Sequence, residues 1–325
     1  MPCKPTGLKL PRKLLGLLLL LPLAVFPLAV LAEPRIVASI KPVHSLVAGV
    51  MQGVGEPSLL VRGGASPHEY NLRPSDARAI NEADIVFWIG PELESFLVKP
   101  LNNVKGKVRS VALLDAPGVA VLPLRAGGAW ESHRHGHEES AGHEEHDHDH
   151  ETARDAHVWL DPVNAVAMVR RIVAALGEVD PVHRVDYERN GAALVERLNQ
   201  LNRQLAAELA PVRNQPYLVF HDAYQYFERR YGLNAVGSVV LDPERRPGAK
   251  RVTEIQARVR DFGVRCVFSE PQFQPALVET IIAGGNARRG VLDPAGGADL
   301  TPGPEAYFQL LRRLADALRS CLSGA

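Results

Sequence analysis

The chain lacks a basic excess. Lysine and arginine number 37, and aspartate and glutamate number 37. The first 32 residues hold Lys4, Lys9, Arg12 and Lys13 and no acid, so the rest carries 33 basic against 37 acidic residues, a net of −4. The lack of a surplus of cations to neutralise phosphates argues against nucleic acid as the main partner. A His-Glu-x-x-His helix, which would join two zinc ligands to a general base, is also missing. His143-Glu-Glu-His146 has the wrong spacing and sits in a polar tract. That absence argues against a secreted zinc hydrolase. An uninterrupted membrane span is lacking too. Leu14 to Leu31 is near the minimum length, but Pro22 and Pro27 break it. The basic start, the leucine-rich run and the small-residue exit Val30-Leu-Ala32 read instead as a secretory signal. Cysteine is scarce, with Cys3, Cys266 and Cys321 only. Removal of the signal takes Cys3 away and leaves Cys266 and Cys321 in an oxidising compartment.

What is present is an alternation of short apolar runs and helical stretches. Strands are predicted at Ile36–Ile40, Ser58–Val61, Asp84–Ile89 and Val108–Leu113, with helices at Pro42–Met51, Ser75–Ala83 and Glu92–Leu101 between them. Such alternation implies a parallel, helix-covered sheet. It breaks at Pro117, where a polar insertion runs to Arg154, and a helix follows over Val163–Leu176. From Pro181 to Ala210, leucines at 194, 198, 201, 205 and 209 form one helical stripe. Thirty helical residues span about 45 Å, so the segment reads as a rigid strut with Gly191 its only soft joint. Alternation then resumes. Strands are expected at Tyr217–Phe220, Ala235–Val240, Cys266–Phe268 and Gly290–Asp293, with a closing helix at Glu305–Leu322. The fold class is therefore α/β, two lobes with mainly parallel sheets joined by one long helix. The divisions are 1–32 for the signal, 33–180 for the first lobe with a histidine-rich loop at 131–154, 181–210 for the linker helix, and 211–325 for the second lobe.

Three histidines stand at comparable places. His68 lies in a turn-rich loop after a strand, His157 precedes a helix, and His221 ends the strand Tyr217–Phe220. All lie near carboxyl ends of strands, where open α/β sheets bind ligands. Two come from one lobe and one from the other, which puts a shared site in the cleft between lobes. Three neutral imidazoles suit Zn²⁺ and leave a fourth position for a carboxylate or water. Each imidazole needs its second nitrogen held by an acceptor, and Asp155, Asp161 and Asp222 stand nearby in sequence. His44 and His183, in helical segments, receive no role. The insertion is a separate feature. His133, His135, His137, His143, His146, His148 and His150 lie among nine acids between Glu131 and Asp155. With almost no apolar residues it is expected to be disordered, and its composition fits loose, accessory metal capture.

These motifs together resemble a known family. Ser66-Pro-His68-Glu-Tyr-Asn-Leu-Arg-Pro-Ser-Asp76, Asp155-Ala-His157-Val-Trp-Leu-Asp-Pro162 and Phe220-His221-Asp-Ala-Tyr-Gln-Tyr-Phe227 are similar to the zinc-type solute-binding proteins of bacterial ABC importers (cluster A-I). Cys266-Val-Phe-Ser-Glu-Pro-Gln-Phe273 and Val291-Leu-Asp-Pro294 extend the likeness over nearly all of the chain after the signal. The resemblance implies a periplasmic protein that captures Zn²⁺ between its lobes through His68, His157 and His221. It implies delivery to the membrane permease of an ABC importer, with no small organic substrate and a monomeric state. It supports a disulfide between Cys266 and Cys321. Manganese-type relatives usually carry a carboxylate where His221 stands. Some zinc-type members have a glutamate before the first ligand histidine; here that residue is Pro67. For the fourth ligand, Asp293 and water remain as candidates. The other functional readings are a metal-dependent adhesin and a secreted zinc hydrolase.

Overall fold

The computed structural model describes residues 1–4, 7, 33–125, 130, 153–240 and 247–324. Most of residues 1–32, expected to be the export signal, and the histidines from His133 to His150 lie outside the described residues. The first lobe contains β1 (Ile36–Ala38), α1 (Lys41–Val50), β2 (Ser58–Leu59), α2 (Pro74–Glu82), β3 (Ile85–Trp88), α3 (Ser95–Asn103) and β4 (Arg109–Ala112). Its strands are all parallel, in the order β2-β1-β3-β4. The second lobe contains β5 (Tyr217–Val219), α6 (Gln225–Tyr231), β6 (Ala235–Ser238), α7 (Ala249–Asp261), β7 (Cys266–Ser269), α8 (Ala276–Ile282), β8 (Arg288–Val291) and α9 (Ala306–Leu322). Its order, β6-β5-β7-β8, repeats the pattern, again all parallel. Between the lobes run α4 (Pro162–Val179) and α5 (Arg184–Leu209).

Strands covered on both faces read as continuous apolar runs, and β3 shows why. Its alternate residues point to opposite sides. Ile85 and Phe87 enter one core, while Val86 and Trp88 enter another with residues of α2 and α3. The second sheet divides likewise, with Leu218 and Val267 packed against α7 and α8. The inner faces of both sheets share one continuous core with α1, α4, α5 and α9. This is the main departure from the expected strut. Helix α5 buries Tyr187, Gly191, Leu194, Leu198, Leu201, Leu205 and Leu209 and packs against α1, α4 and α9.

The long helix is also shorter than expected. Pro181–His183 is a 3₁₀ turn, and Ala210–Val212 is another. The Asp180 carboxylate pins the first of these by accepting from His183 Nδ1 (2.7 Å) and Tyr187 Oη (2.7 Å). Gly191 is not a soft joint. A Cβ there would run into Val173 Cγ2 on α4, so the glycine permits the close approach of two helices. Gly49 does the same on α1, where a Cβ would lie 2.9 Å from Leu194 Cδ2.

Cys266 on β7 and Cys321 on α9 form a disulfide, with Cα atoms 6.2 Å apart. It fastens the closing helix to the centre of the second sheet. Among the described residues, no helix is long and apolar enough to cross a membrane.

Candidate metal centre

In each sheet the chain leaves the two central strands toward opposite sides, which makes a crevice at their carboxyl ends. His221 lies two residues beyond β5, and Glu270 directly follows β7, its sheet neighbour. His157 enters from the other lobe, just before the 3₁₀ turn Val158–Leu160. That turn leads into α4, whose first amide, Val163 N, is capped by Asp161 (2.8 Å). His68 hangs in the loop after β2, where its backbone N–H donates to Ser66 Oγ (3.3 Å).

The fold brings these three histidines together. Their ring centroids are 5.4 Å apart for His68–His157, 5.7 Å for His68–His221 and 5.4 Å for His157–His221. One nitrogen from each lies within 4.8 Å of the others. Among the described residues this is the only group of three or more such side chains with metal-holding geometry. The cavity they face measures about 20 Å³, room for an ion-sized guest. Trp159, Phe273, Pro294 and Ala295 supply its apolar lining.

Two buried carboxylates fix the rings. Asp155 Oδ1 meets His157 Nδ1 at 2.8 Å and also accepts from the His157 backbone N–H. Glu270 Oε1 meets His221 Nδ1 at 2.7 Å. A carboxylate only accepts, so in the neutral rings each Nδ1 carries the proton and each Nε2 presents a lone pair. His221 Nε2 is buried with no hydrogen-bond partner. An orphaned lone pair beside two further imidazoles fits a cation that takes nitrogen ligands.

Electrostatics separate the histidines. Burial, with repulsion from His157 and His221, pushes His68 down to about 2. Burial alone would also lower His221, but the Glu270 carboxylate, with Asp222 and Asp155 adding to it, overrides this and raises the net value above the ordinary histidine value.

Of the three aspartates considered as ring partners, only Asp155 serves. Asp161 caps α4 and pairs with Arg230 (2.6 Å). Asp222 pairs with Arg125, which also reaches Glu228 Oε2 (2.7 Å). Glu270 was missed because 49 residues separate it from His221. The available signal was its place at the end of a central strand. Asp293 is not brought together with the histidines. Its Oδ1 accepts from Gln272 Nε2 (3.0 Å), Ala295 N (3.0 Å) and Gly296 N (2.9 Å), which builds a turn just outside the cavity lining.

The cavity wall is tied across the cleft. Trp159 Nε1 donates to Pro294 O (2.8 Å), and Tyr307 Oη donates to Trp159 O (2.7 Å). Lys41 Nζ, at the start of α1, donates to Gly296 O (3.0 Å) and Gly297 O.

Two parallel-sheet lobes with a buried tri-imidazole cavity between them define a bilobal metal-binding α/β protein. The model of the family described as zinc-uptake complex component A, periplasmic, matches residues 36–321, and the chain belongs to that family. The high-affinity zinc uptake system protein ZnuA of Brucella suis is 48% identical over 306 residues, covering 89% of this chain and 91% of the relative. The ZnuA protein of Yersinia pestis is 35% identical over 300 residues, covering 90% and 92%. A crystal structure of ZnuA superposes with a TM-score of 0.71 at 24% identity, covering 88% of this chain and all of that one. A laminin-binding adhesin of Streptococcus agalactiae gives 0.72 at 24%, covering 89% and 99%. At these identities the structures share the fold. The family is a solute-binding component of transport, not an enzyme.

Proposed function

We propose that this chain captures one Zn²⁺ through His68, His157 and His221 in the periplasm and hands it to the membrane permease of an ABC importer. The observation that carries the reading is the buried, unpartnered His221 Nε2, grouped with nitrogens of His68 and His157. Asp155 and Glu270 hold two of the rings with lone pairs inward, so the site is preorganised and pays little ordering cost on binding. Only His221 comes from the second lobe, so the ion bridges the two. Residues 1–32 act as the export signal in this reading, and the histidines from His133 to His150 gather further metal loosely. The lobes divide at 33–180 and 211–325 around the linker helix.

The adhesin reading draws no particular support here, because the adhesin structures share only the fold. The deciding experiment is isothermal titration of the signal-free protein and of His68→Ala, His157→Ala and His221→Ala. One tight zinc event in the parent, lost or greatly weakened in each variant, is expected. Unchanged tight binding in all three variants ends the reading.

A further inference from the structure

A second orphaned atom besides His221 Nε2 belongs to a residue of the cavity wall. Gln272 lines the same cavity, and its Oε1 is enclosed without a hydrogen-bond partner. The amide orientation is fixed by chemistry. Gln272 Nε2 donates to Asp293 Oδ1 (3.0 Å), an oxygen that already accepts from Ala295 N and Gly296 N. A carboxylate cannot donate, so the amide nitrogen must face Asp293 and the carbonyl oxygen must face away from it. The cavity therefore combines imidazole lone pairs with one amide acceptor. A cation bearing a water satisfies lone pairs of both kinds. The cation takes the nitrogens, and its water donates to the oxygen.

We infer that Gln272 serves the fourth position of the bound ion, accepting a hydrogen bond from the water that completes its shell, and that Asp293 acts only by aiming the Gln272 amide. This rests on the zinc-site reading above and deepens it. It reassigns Asp293 from candidate ligand to positioning residue. It also explains why a carboxylate stands close to the cavity with its Oδ1 occupied by three donors. A water held by a neutral amide leaves the ion with one exchangeable ligand, which suits a protein that must give its metal away.

The test uses the signal-free protein titrated with Zn²⁺ against a competing chelator, and with Co²⁺ to read the visible spectrum. Gln272→Met keeps the side chain's length and removes the oxygen. About tenfold weaker zinc binding is expected, the lower end of losses seen for groups that orient a metal shell, together with an altered cobalt spectrum. Asp293→Ala, which frees the amide, is expected to give the same spectral change, and the double variant little more than either. Asp293→Asn keeps an acceptor oxygen for the Gln272 amide, so zinc affinity is expected to stay within about twofold, well short of the tenfold that 1.4 kcal/mol represents. Wild-type affinity and spectrum in Gln272→Met overturn the inference, as does a tenfold loss in Asp293→Asn, which makes Asp293 a ligand. If Gln272→Met does not fold, the two Asp293 variants decide. Failure of the zinc-site reading itself looks different, because the unsubstituted protein would then show no one-to-one zinc event.

Discussion

Glu270→Gln isolates what one buried charge does for the metal centre. The glutamine oxygen can still accept from His221 Nδ1, so ring orientation is kept and only charge is lost. Glu270 is 3% exposed and its contact with His221 is 2.7 Å, so solvent screens the pair little. Hydrogen bonds to charged groups contribute about 1.5–3 kcal/mol net, roughly twice the neutral value. The difference, about 1–2 kcal/mol, falls mainly on the zinc-bound form, where His221 shares the cation's charge. Zinc affinity at pH 8 is therefore expected to drop by about tenfold, equivalent to 1.4 kcal/mol.

The pH dependence supplies a second signature. In the parent, Glu270 raises the His221 value, so protons compete with zinc from above the ordinary 6.5 downward. His68 is held near 2 and does not compete until far lower pH. Without the Glu270 charge, burial weighs more and the His221 value falls. Proton competition then begins at lower pH, and the variant's deficit narrows on acidification. The zinc-free protein gives the matching stability signs. A raised His221 contributes stability fully present below about pH 6.5 and lost as pH rises through its folded value; Glu270→Gln removes that slope. The depressed His68 does the reverse, costing stability as pH falls below about 6.5. Competition titrations from pH 5.5 to 8 measure the binding effect. Equal affinities at pH 8, or a deficit that widens in acid, would refute the reasoning.

Four further outcomes are expected. Gly191→Ala forces α4 and α5 apart at Val173 and should cost about 1–3 kcal/mol by overpacking, read as a lower melting temperature. Cys321→Ser should destabilise by up to about 4 kcal/mol for a 55-residue separation, and the denatured, unreduced signal-free parent should show no free thiol; two thiols would deny the bridge. Metal-free and zinc-bound forms should scatter with nearly equal radii of gyration, because opening the cleft would tear the core shared by both sheets; a change of several ångströms would contradict this. Deleting His133 through His150 should lower zinc stoichiometry and keep one tight event, and loss of that event would place a primary ligand in the insertion.

The two-lobed parallel architecture was legible because strands buried on both faces are written as unbroken apolar runs such as Ile85-Val-Phe-Trp88. The three histidines were legible because strand ends and turn-rich loops mark where an α/β sheet gathers ligands. Their partners were not equally legible. Asp155 sits two residues from His157 and bonds it locally. Asp161 and Asp222 also stand close in sequence to a histidine but pair with Arg230 and Arg125. Spacing along the chain does not say which cation a carboxylate will meet.

Sequence by itself indicated the strand–helix alternation, the parallel sheets and the three candidate histidines, because hydrophobic period and loop position are local properties. Tertiary structure alone decided that Glu270 faces His221, since adjacency of β5 and β7 joins residues far apart in the chain. It decided that Gly191 is a packing contact rather than a joint, because that depends on what α4 places opposite it. It tied Asp293 Oδ1 into a turn, because three donors converge on that oxygen only once the Gln272 loop and the Ala295 turn are folded against each other.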